Sequence, residues 1–224
     1  MSAATMLLRL QGPMQSWGTT SRFGERDTQL EPSKSCVLGL ICAALGRDRS
    51  EHVADLAALR MGVRVDMEGV PMRDYQTATG VRTAEGKVER DRTVLSPRFY
   101  LSDAVFLVGL AGERALLECI HLALQQPVWP LALGRKRFAP SMPPYLPDAV
   151  IEQDLETALK TWPYLARGNV PKQGLRLVVE AEREGAVRLD QPVAPFSERR
   201  FGPRFVKTMV LQLEAGHVSD PFAT

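Results

Sequence analysis

Histidine and cysteine are scarce in this chain of 224 residues, three of each. His52, His121 and His217 stand far apart, with no carboxylate or cysteine at metal-ligand spacing, which argues against a zinc or di-metal site. Cys36, Cys42 and Cys119 are an odd number, two of them inside an apolar helical pattern, and they read as reduced core residues. An excess of one charge sign is also missing: the formal net charge is +2, so a polyanionic partner must be argued from where basic residues cluster. No run approaches the roughly 18 apolar residues of a membrane span. Arg9 interrupts the first apolar stretch and no basic segment precedes it, unlike a signal peptide, so the expected setting is the cytoplasm with no membrane partner. A Walker phosphate loop, a GxGxxG turn and a GxSxG elbow are absent as well. Nucleotide hydrolysis, dehydrogenase and serine hydrolase chemistry therefore find no support, and no cofactor is implied.

What is present is a chain 45% hydrophobic, able to bury a core as one large domain or two small ones. In "LRLQGPMQSWG" an alternating strand ends at Gly12-Pro13, and the expectation is that Gln15 and Trp17 are displayed just beyond it, with burial of Trp17 against the sheet as the alternative. Val37, Leu38, Ile41, Ala44 and Leu45 recur at helical spacing between a capping Ser33 or Ser35 and a terminating Gly46. A second helical pattern, Val53, Leu56 and Leu59, leads into the strand "MGVRVDM". Residues 73–97 predict a hairpin with its tip at Glu85-Gly86-Lys87. Phe99 to Leu110 reads as one strand, "ERALLECIHLALQQ" as an amphipathic helix, and "GLRLVVEAE" and "RFVKTMVLQLEA" as further strands. The fold class is α+β, with most of a ferredoxin-like βαββαβ unit carrying an insertion between its second and third strands. The closing strand is left open, and from about Tyr145 a small β-rich appendage is expected.

Three features carry positive charge. Gly134-Arg135-Lys136-Arg137, flanked by Trp129 and Phe138, offers guanidinium forks and a flexible backbone to phosphate oxygens. Arg199-Arg200-Phe201-Gly202-Pro203-Arg204 is similar. Pro32-Ser33-Lys34-Ser35 places two hydroxyls and an ammonium at the positive end of a helix. In the hairpin, Arg73, Arg82, Lys87, Arg90 and Arg92 are offset by Asp74, Glu85, Glu89 and Asp91, which signals exposure rather than attraction. Residues 19–32, with Arg22 and Arg26, form a polar connection. Asp148, Glu152, Asp154 and Glu156 read as a solvated helix start, and His52 and His121 as helix-boundary or surface residues. Basic loops near Trp17, Tyr75, Tyr100 and Phe138 suggest single-stranded RNA held by stacking and phosphate contacts.

The segments "LLRLQGPMQSWG", "EPSKSCVLGLICAALG", "MRDYQTATG", "RFYLSDAVFLVGL" and "LGRKR", in that order over roughly residues 5–145, resemble the CasD family of CRISPR-associated proteins, subunits of the type I-E Cascade complex within the RAMP superfamily. The resemblance implies a ferredoxin-like (RRM-like) RAMP body over residues 1–145, with a thumb hairpin at about 75–97; the small β-rich region over 146–224, read from its strand patterns, either stands as an appendage or completes the sheet. It implies a non-catalytic subunit that grips the 5′ handle of the CRISPR RNA and caps the backbone filament in antiviral defence. Its partners would be that RNA, the CasC backbone subunit through the thumb, the CasA large subunit, and target DNA indirectly. Carried onto this chain, Gln15, Trp17, Arg26, Ser33, Lys34 and Ser35 would line the handle site, Tyr75 and Thr77 would begin the thumb, and Arg135, Lys136 and Arg137 would meet phosphates or splayed bases. The chain has Asp27 where the family pattern usually has proline, and its thumb is short and charge-balanced. Two other readings stay open: a metal-independent endoribonuclease using Tyr75, Tyr100 and His121, and a scaffold that touches only protein.

Overall fold

The computed structural model describes residues 4–19, 25–89 and 91–213; Arg22, Arg90 and His217 lie outside the described residues. Strand β1 (Ala4–Gln11) is antiparallel to β8 (Val105–Gly112) on one side and β9 (Tyr145–Ile151) on the other. Strand β3 (Arg60–Met67) pairs with β8, and β10 (Leu175–Ala181), β12 (Phe201–Leu211) and β11 (Ala186–Pro192) continue outward from β3. The result is one seven-stranded sheet in the order β11-β12-β10-β3-β8-β1-β9. The closing strand is β9, and the C-terminal strands extend the same sheet beyond its opposite edge. This is a mixed α/β fold with antiparallel pairing.

Alternation along β1 sends Met6, Leu8 and Leu10 to one core and Leu7 to a second. The first core lies beneath α1 (Lys34–Leu45), α2 (Ala54–Ala57) and α3 (Arg114–Gln125). Helix α1 is apolar on most sides and ends at Gly46 in the left-handed conformation, φ 75°, where Arg47 N–H donates to the Cys42 carbonyl at 2.9 Å. Its terminating role was legible because only glycine adopts that backbone without strain. The pattern at Val53 to Leu59 yields only the short α2. The cysteines are all free, but Cys119 is exposed on α3, so the expectation of a core residue fails there.

The second core sits under α4 (Leu155–Thr161). Gly62 and Gly109 are direct cross-strand partners, and a methyl group on either would come within 2.6 or 2.7 Å of Leu159 or Leu155. The two glycines thus make the flat floor on which α4 rests. Asp154 caps that helix, accepting from the Glu156 and Thr157 amides at 3.1 and 3.0 Å, which is the solvated helix start expected there. Arg64, fully buried, donates to both oxygens of Asp66 and to the carbonyls of Leu159, Trp162 and Pro163. Every N–H of its guanidinium is used, which is the condition for tolerating a buried charge.

Phe99 to Leu110 is two strands rather than one. Strand β7 (Val94–Ser102) ends before Asp103, which has φ 57°, and β8 starts after the turn. The left-handed step redirects the chain from one sheet to another, and an unbroken apolar run gives no sign of it. Strand β7 pairs along its length with β4 (Val70–Ala78), from Val70↔Ser102 to Ala78↔Val94. Strand β2 (Met14–Gln15) joins the other edge of β7. Beyond this ladder, β5 (Val81–Arg82) and β6 (Val88–Glu89) carry the hairpin to a tip where Gly86 has φ 84°.

Candidate nucleic-acid interface

The basic loop is held at both ends and projects between. Leu133 and Phe138 are buried, Leu133 N–H donates to the Phe138 carbonyl at 2.7 Å, and Phe138 N–H to Arg135 at 2.9 Å. Ser16 N–H donates to the Leu133 carbonyl at 3.1 Å. Gly134, at φ 89°, lies so close to Ser16 that a Cβ there would stand 1.7 Å from the Ser16 carbonyl oxygen. Only glycine fits, and the consequence is a fixed departure direction for Arg135, Lys136 and Arg137.

Lys136 and Arg137 are exposed. Arg135 is half-buried, its guanidinium carbon 4.7 Å from the centre of the Tyr100 ring, a cation–π contact. One of its N–H groups reaches the Arg26 carbonyl at 3.3 Å. Arg26 is bridged to β7: its N–H donates to Pro97 at 3.0 Å and its carbonyl accepts from Phe99 at 2.8 Å, with Arg98 as its bridge partner. Burial, together with the neighbouring charges of Arg98 and Arg26, holds the Arg135 guanidinium below its ordinary pKa, against an opposing pull from Tyr100. Arg26, Arg98 and Arg135 therefore meet at the hairpin root from separate segments. Sequence reading missed Arg98; the available signal was that Arg98 and Tyr100, two apart in a strand, share a face.

The hairpin has two different faces, set by the register Asp74↔Arg98 and Tyr75↔Pro97. One carries Met72, Asp74, Gln76, Arg98 and Tyr100, where Tyr100 donates to Asp74 at 3.3 Å and Gln76 to Asp74 at 2.5 Å. The other carries Arg73, Tyr75, Thr77, Leu95 and Phe99, with Arg73 5.9 Å from the Phe99 ring centre. Tyr75 is 60% exposed and Leu95 49%.

Several expected contacts are not at the surface. Gln15 and Trp17 are fully buried: Gln15 donates to the Ala104 carbonyl at 2.6 Å, and Trp17 donates to the Gln15 side chain at 3.2 Å. The Gly12-Pro13 break turns the chain inward, so these polar groups staple the first loop to the β7–β8 turn. Lys34 is buried in an ion pair with Glu180 at 3.1 Å, and burial lowers its pKa despite that partner. The anion site expected at the start of α1 is filled from within, because Asp190 accepts from the Lys34 amide at 2.8 Å and from Arg204 at 2.6 and 2.9 Å. Ser33 is buried with no capping hydrogen bond from its side chain, and Ser35 is half-buried beside it. The stretch from Arg199 to Arg204 is also not free of acid: Arg204 pairs with Asp190 and Arg200 with Glu198 at 2.9 Å. Arg26, Tyr75, Thr77, Arg135, Lys136 and Arg137 remain as surface or half-buried candidates.

The residues named for RNA cleavage do not share a surface. Tyr75 and Tyr100 lie on opposite hairpin faces, and His121, its pKa lowered by burial, packs edge-on against Tyr145, 6.2 Å between ring centres. An open sheet of this kind can stack bases on its free face, but here α4 covers the middle of that face. Among the described residues, the basic loop at the hairpin root is one accessible positive surface.

The fold and this surface define a mixed α/β protein with a projecting ribbon and a basic loop anchored at the ribbon's base. A model of the CRISPR-associated protein family Cas5 matches residues 5–207, and the chain belongs to that family. The Cascade subunit CasD of Escherichia coli (strain K12) is 32% identical over 148 residues, 58% of this chain and 65% of that protein. The chain thus aligns with just under two thirds of that relative's length. A crystal structure of a Cas protein is 55% identical with TM-score 0.78, covering 94% of this chain and 96% of that one. A chain of a CRISPR RNA-guided surveillance complex is 33% identical with TM-score 0.79, covering 98% and 95%. Within that family the chain is similar to the Cascade subunit CasD and to a chain of a CRISPR RNA-guided surveillance complex.

Proposed function

We propose that this chain is a non-catalytic subunit of a type I-E CRISPR Cascade surveillance complex that binds the 5′ handle of the CRISPR RNA and caps the backbone filament in antiviral defence. In this reading β1, β3, β8 and β9 with α1 and α3 are a ferredoxin-like RAMP body, and the β4–β7 hairpin is its thumb, reaching the CasC backbone subunit. CasA and, through the assembled complex, target DNA are further partners in the cytoplasm. The observation that carries the reading is the loop Arg135-Lys136-Arg137, pressed by Gly134 against Ser16 and held beside the hairpin root. Guanidinium groups with a stacking ring beneath them suit a single strand, whose phosphates and base faces are both accessible. The similar chain from a CRISPR RNA-guided surveillance complex supports RNA as the polyanion.

The test mixes the purified full chain, in chelator, with end-labelled repeat RNA and with mature guide carrying the 5′ handle, and follows cleavage and retention together. The expected result is handle-dependent retention without cutting, lost in the Arg135→Ala, Lys136→Ala, Arg137→Ala triple variant and steeply weakened by salt. Site-specific cleavage that survives chelation would replace this function with a processing nuclease. Unchanged retention by the triple variant would leave the basic loop without a role in RNA binding.

A further inference from the structure

Helix α2 and the outer end of β11 flank an open cavity of about 290 Å³, whose walls include Ala54, Ala57, Ala58, Gln191, Pro192 and Val193. No lysine, arginine, aspartate or glutamate lines it. Gln191 is the group that calls for an explanation. Its Nε2 donates to the Ala57 carbonyl at 2.8 Å, one of the carbonyls that the end of a helix leaves without an intrahelical donor. A carbonyl only accepts, so this bond fixes which end of the carboxamide is the oxygen. Oε1 is then a buried acceptor with no hydrogen-bond partner, a costly state that a donor arriving through the cavity relieves.

The cavity and its setting narrow what brings that donor. The volume falls just under the roughly 300–1,000 Å³ of ligand and cofactor pockets, which is the scale of one large side chain. Position and charge disfavour RNA. Helix α2 runs into β3 at Arg60, whereas the hairpin departs beyond Met67 at the other end of that eight-residue strand, about 26 Å away, and the lining offers no cation to a phosphate. Apolar surface continues outward at Val193, 59% exposed, and at Phe201, 37% exposed, which stands opposite Pro192 in the ladder. An apolar cleft with one unfilled acceptor is matched by an aromatic ring that carries one donor, the indole or phenol that anchors many protein interfaces.

We infer that the cavity between α2 and β11 is a docking site for a tryptophan or tyrosine side chain of a neighbouring subunit, whose N–H or O–H meets Gln191 Oε1. The inference rests on the subunit reading above and adds to it a protein contact at the end of the sheet remote from the basic loop.

The experiment has two arms. In the first, the isotopically labelled full chain is titrated with indole and p-cresol, and with benzofuran and p-xylene, which have the same shapes without a donor, and side-chain shifts are followed by NMR. The expected result is shifts at the Ala54, Ala57 and Ala58 methyls and the Gln191 carboxamide, with roughly two- to tenfold tighter binding of the donor-bearing probe in at least one pair. Gln191→Met, similar in length but without the acceptor, removes that preference. In the second arm the chain is co-purified with the other subunits of its complex and guide RNA. Ala54→Leu combined with Ala58→Leu fills the cleft from two exposed positions one helical turn apart; this variant loses indole binding and retention in the complex, and holds handle RNA as the wild type does. Equal affinity within both probe pairs, shifts confined to other parts of the chain, or a double variant retained as well as the wild type overturns the docking site while leaving the subunit reading in place. Tighter binding of nucleosides than of indole would assign the cavity to an RNA base, and a dimer of the isolated chain that the double variant abolishes would assign it to a second copy; either overturns the neighbouring subunit as its occupant. Exclusion of the wild type itself from the complex overturns the subunit reading and this inference with it.

Discussion

Gly134→Ala is the sharpest perturbation of the basic loop. The new Cβ would stand 1.7 Å from the Ser16 carbonyl oxygen, against a floor near 3.0 Å for real contacts, so the two backbones must separate by about 1.3 Å. That movement breaks the Ser16 N–H to Leu133 hydrogen bond, worth about 1 kcal/mol, and an alanine at φ 89° adds backbone strain of roughly 1–2 kcal/mol. The expected destabilisation is about 3 kcal/mol, or roughly 6–12 °C in midpoint for a chain of this size. Gly86→Ala at the hairpin tip is the internal control: its φ is 84°, yet nothing lies within 4 Å of the added methyl, so it carries the strain alone. Thermal unfolding of both variants separates close approach from strain, and handle-RNA retention adds a functional readout, since Gly134→Ala moves Arg135 and Gly86→Ala does not. Equal effects of the two substitutions on stability and on retention would refute the account of the loop as a pinned platform.

Other outcomes follow from the buried groups. Trp17→Phe deletes the donor to Gln15 and should cost about 1–3 kcal/mol in urea unfolding while leaving RNA affinity unchanged at a temperature where the variant is folded; lost affinity at unchanged stability would return Trp17 to the binding surface. Asp66→Ala leaves the Arg64 guanidinium buried without its carboxylate and should destabilise by about 3–5 kcal/mol; a loss below about 1 kcal/mol would mean that the pair is solvated in practice. Burial pushes the Cys42 thiol from 9.0 up to about 11. The folded chain therefore holds this proton when the unfolded chain has released it, and stability should be full below pH 9 and fall by up to roughly 3 kcal/mol as pH rises to 11. The denaturation midpoint of wild type minus Cys42→Ala, followed across that window, isolates the slope, and a flat difference would contradict it.

Much of the frame was legible because it depends on local rules. The spacing of Val37, Leu38 and Ile41 with Gly46 behind them defines α1, the pattern from Arg114 to Gln125 defines α3, and the turn at Gly86 between polar arms defines the hairpin. The basic run at Arg135 to Arg137 was legible as a charge cluster without a neutralising neighbour. The order of motifs along the chain was sufficient to identify the family.

Where those groups point was decided only by tertiary structure. Lys34 and Asp190 are 156 residues apart at their hydrogen bond, and no local pattern announces that the start of α1 receives a carboxylate from β11. Trp17 and Gln15 sit in a loop that composition reads as exposed, but the turn at Asp103 brings Ala104 into reach and draws both inside. The arginine trio is a long-range product in the same way: Arg26, Arg98 and Arg135 meet because β7 takes partners along both edges and Gly134 lets one backbone touch another. Periodicity and capping are properties of a few consecutive residues, and the sequence by itself determined what they control. Burial, ion pairing and the convergence of distant cations depend on which segments the folded sheets make neighbours, so they exist only once the chain has folded.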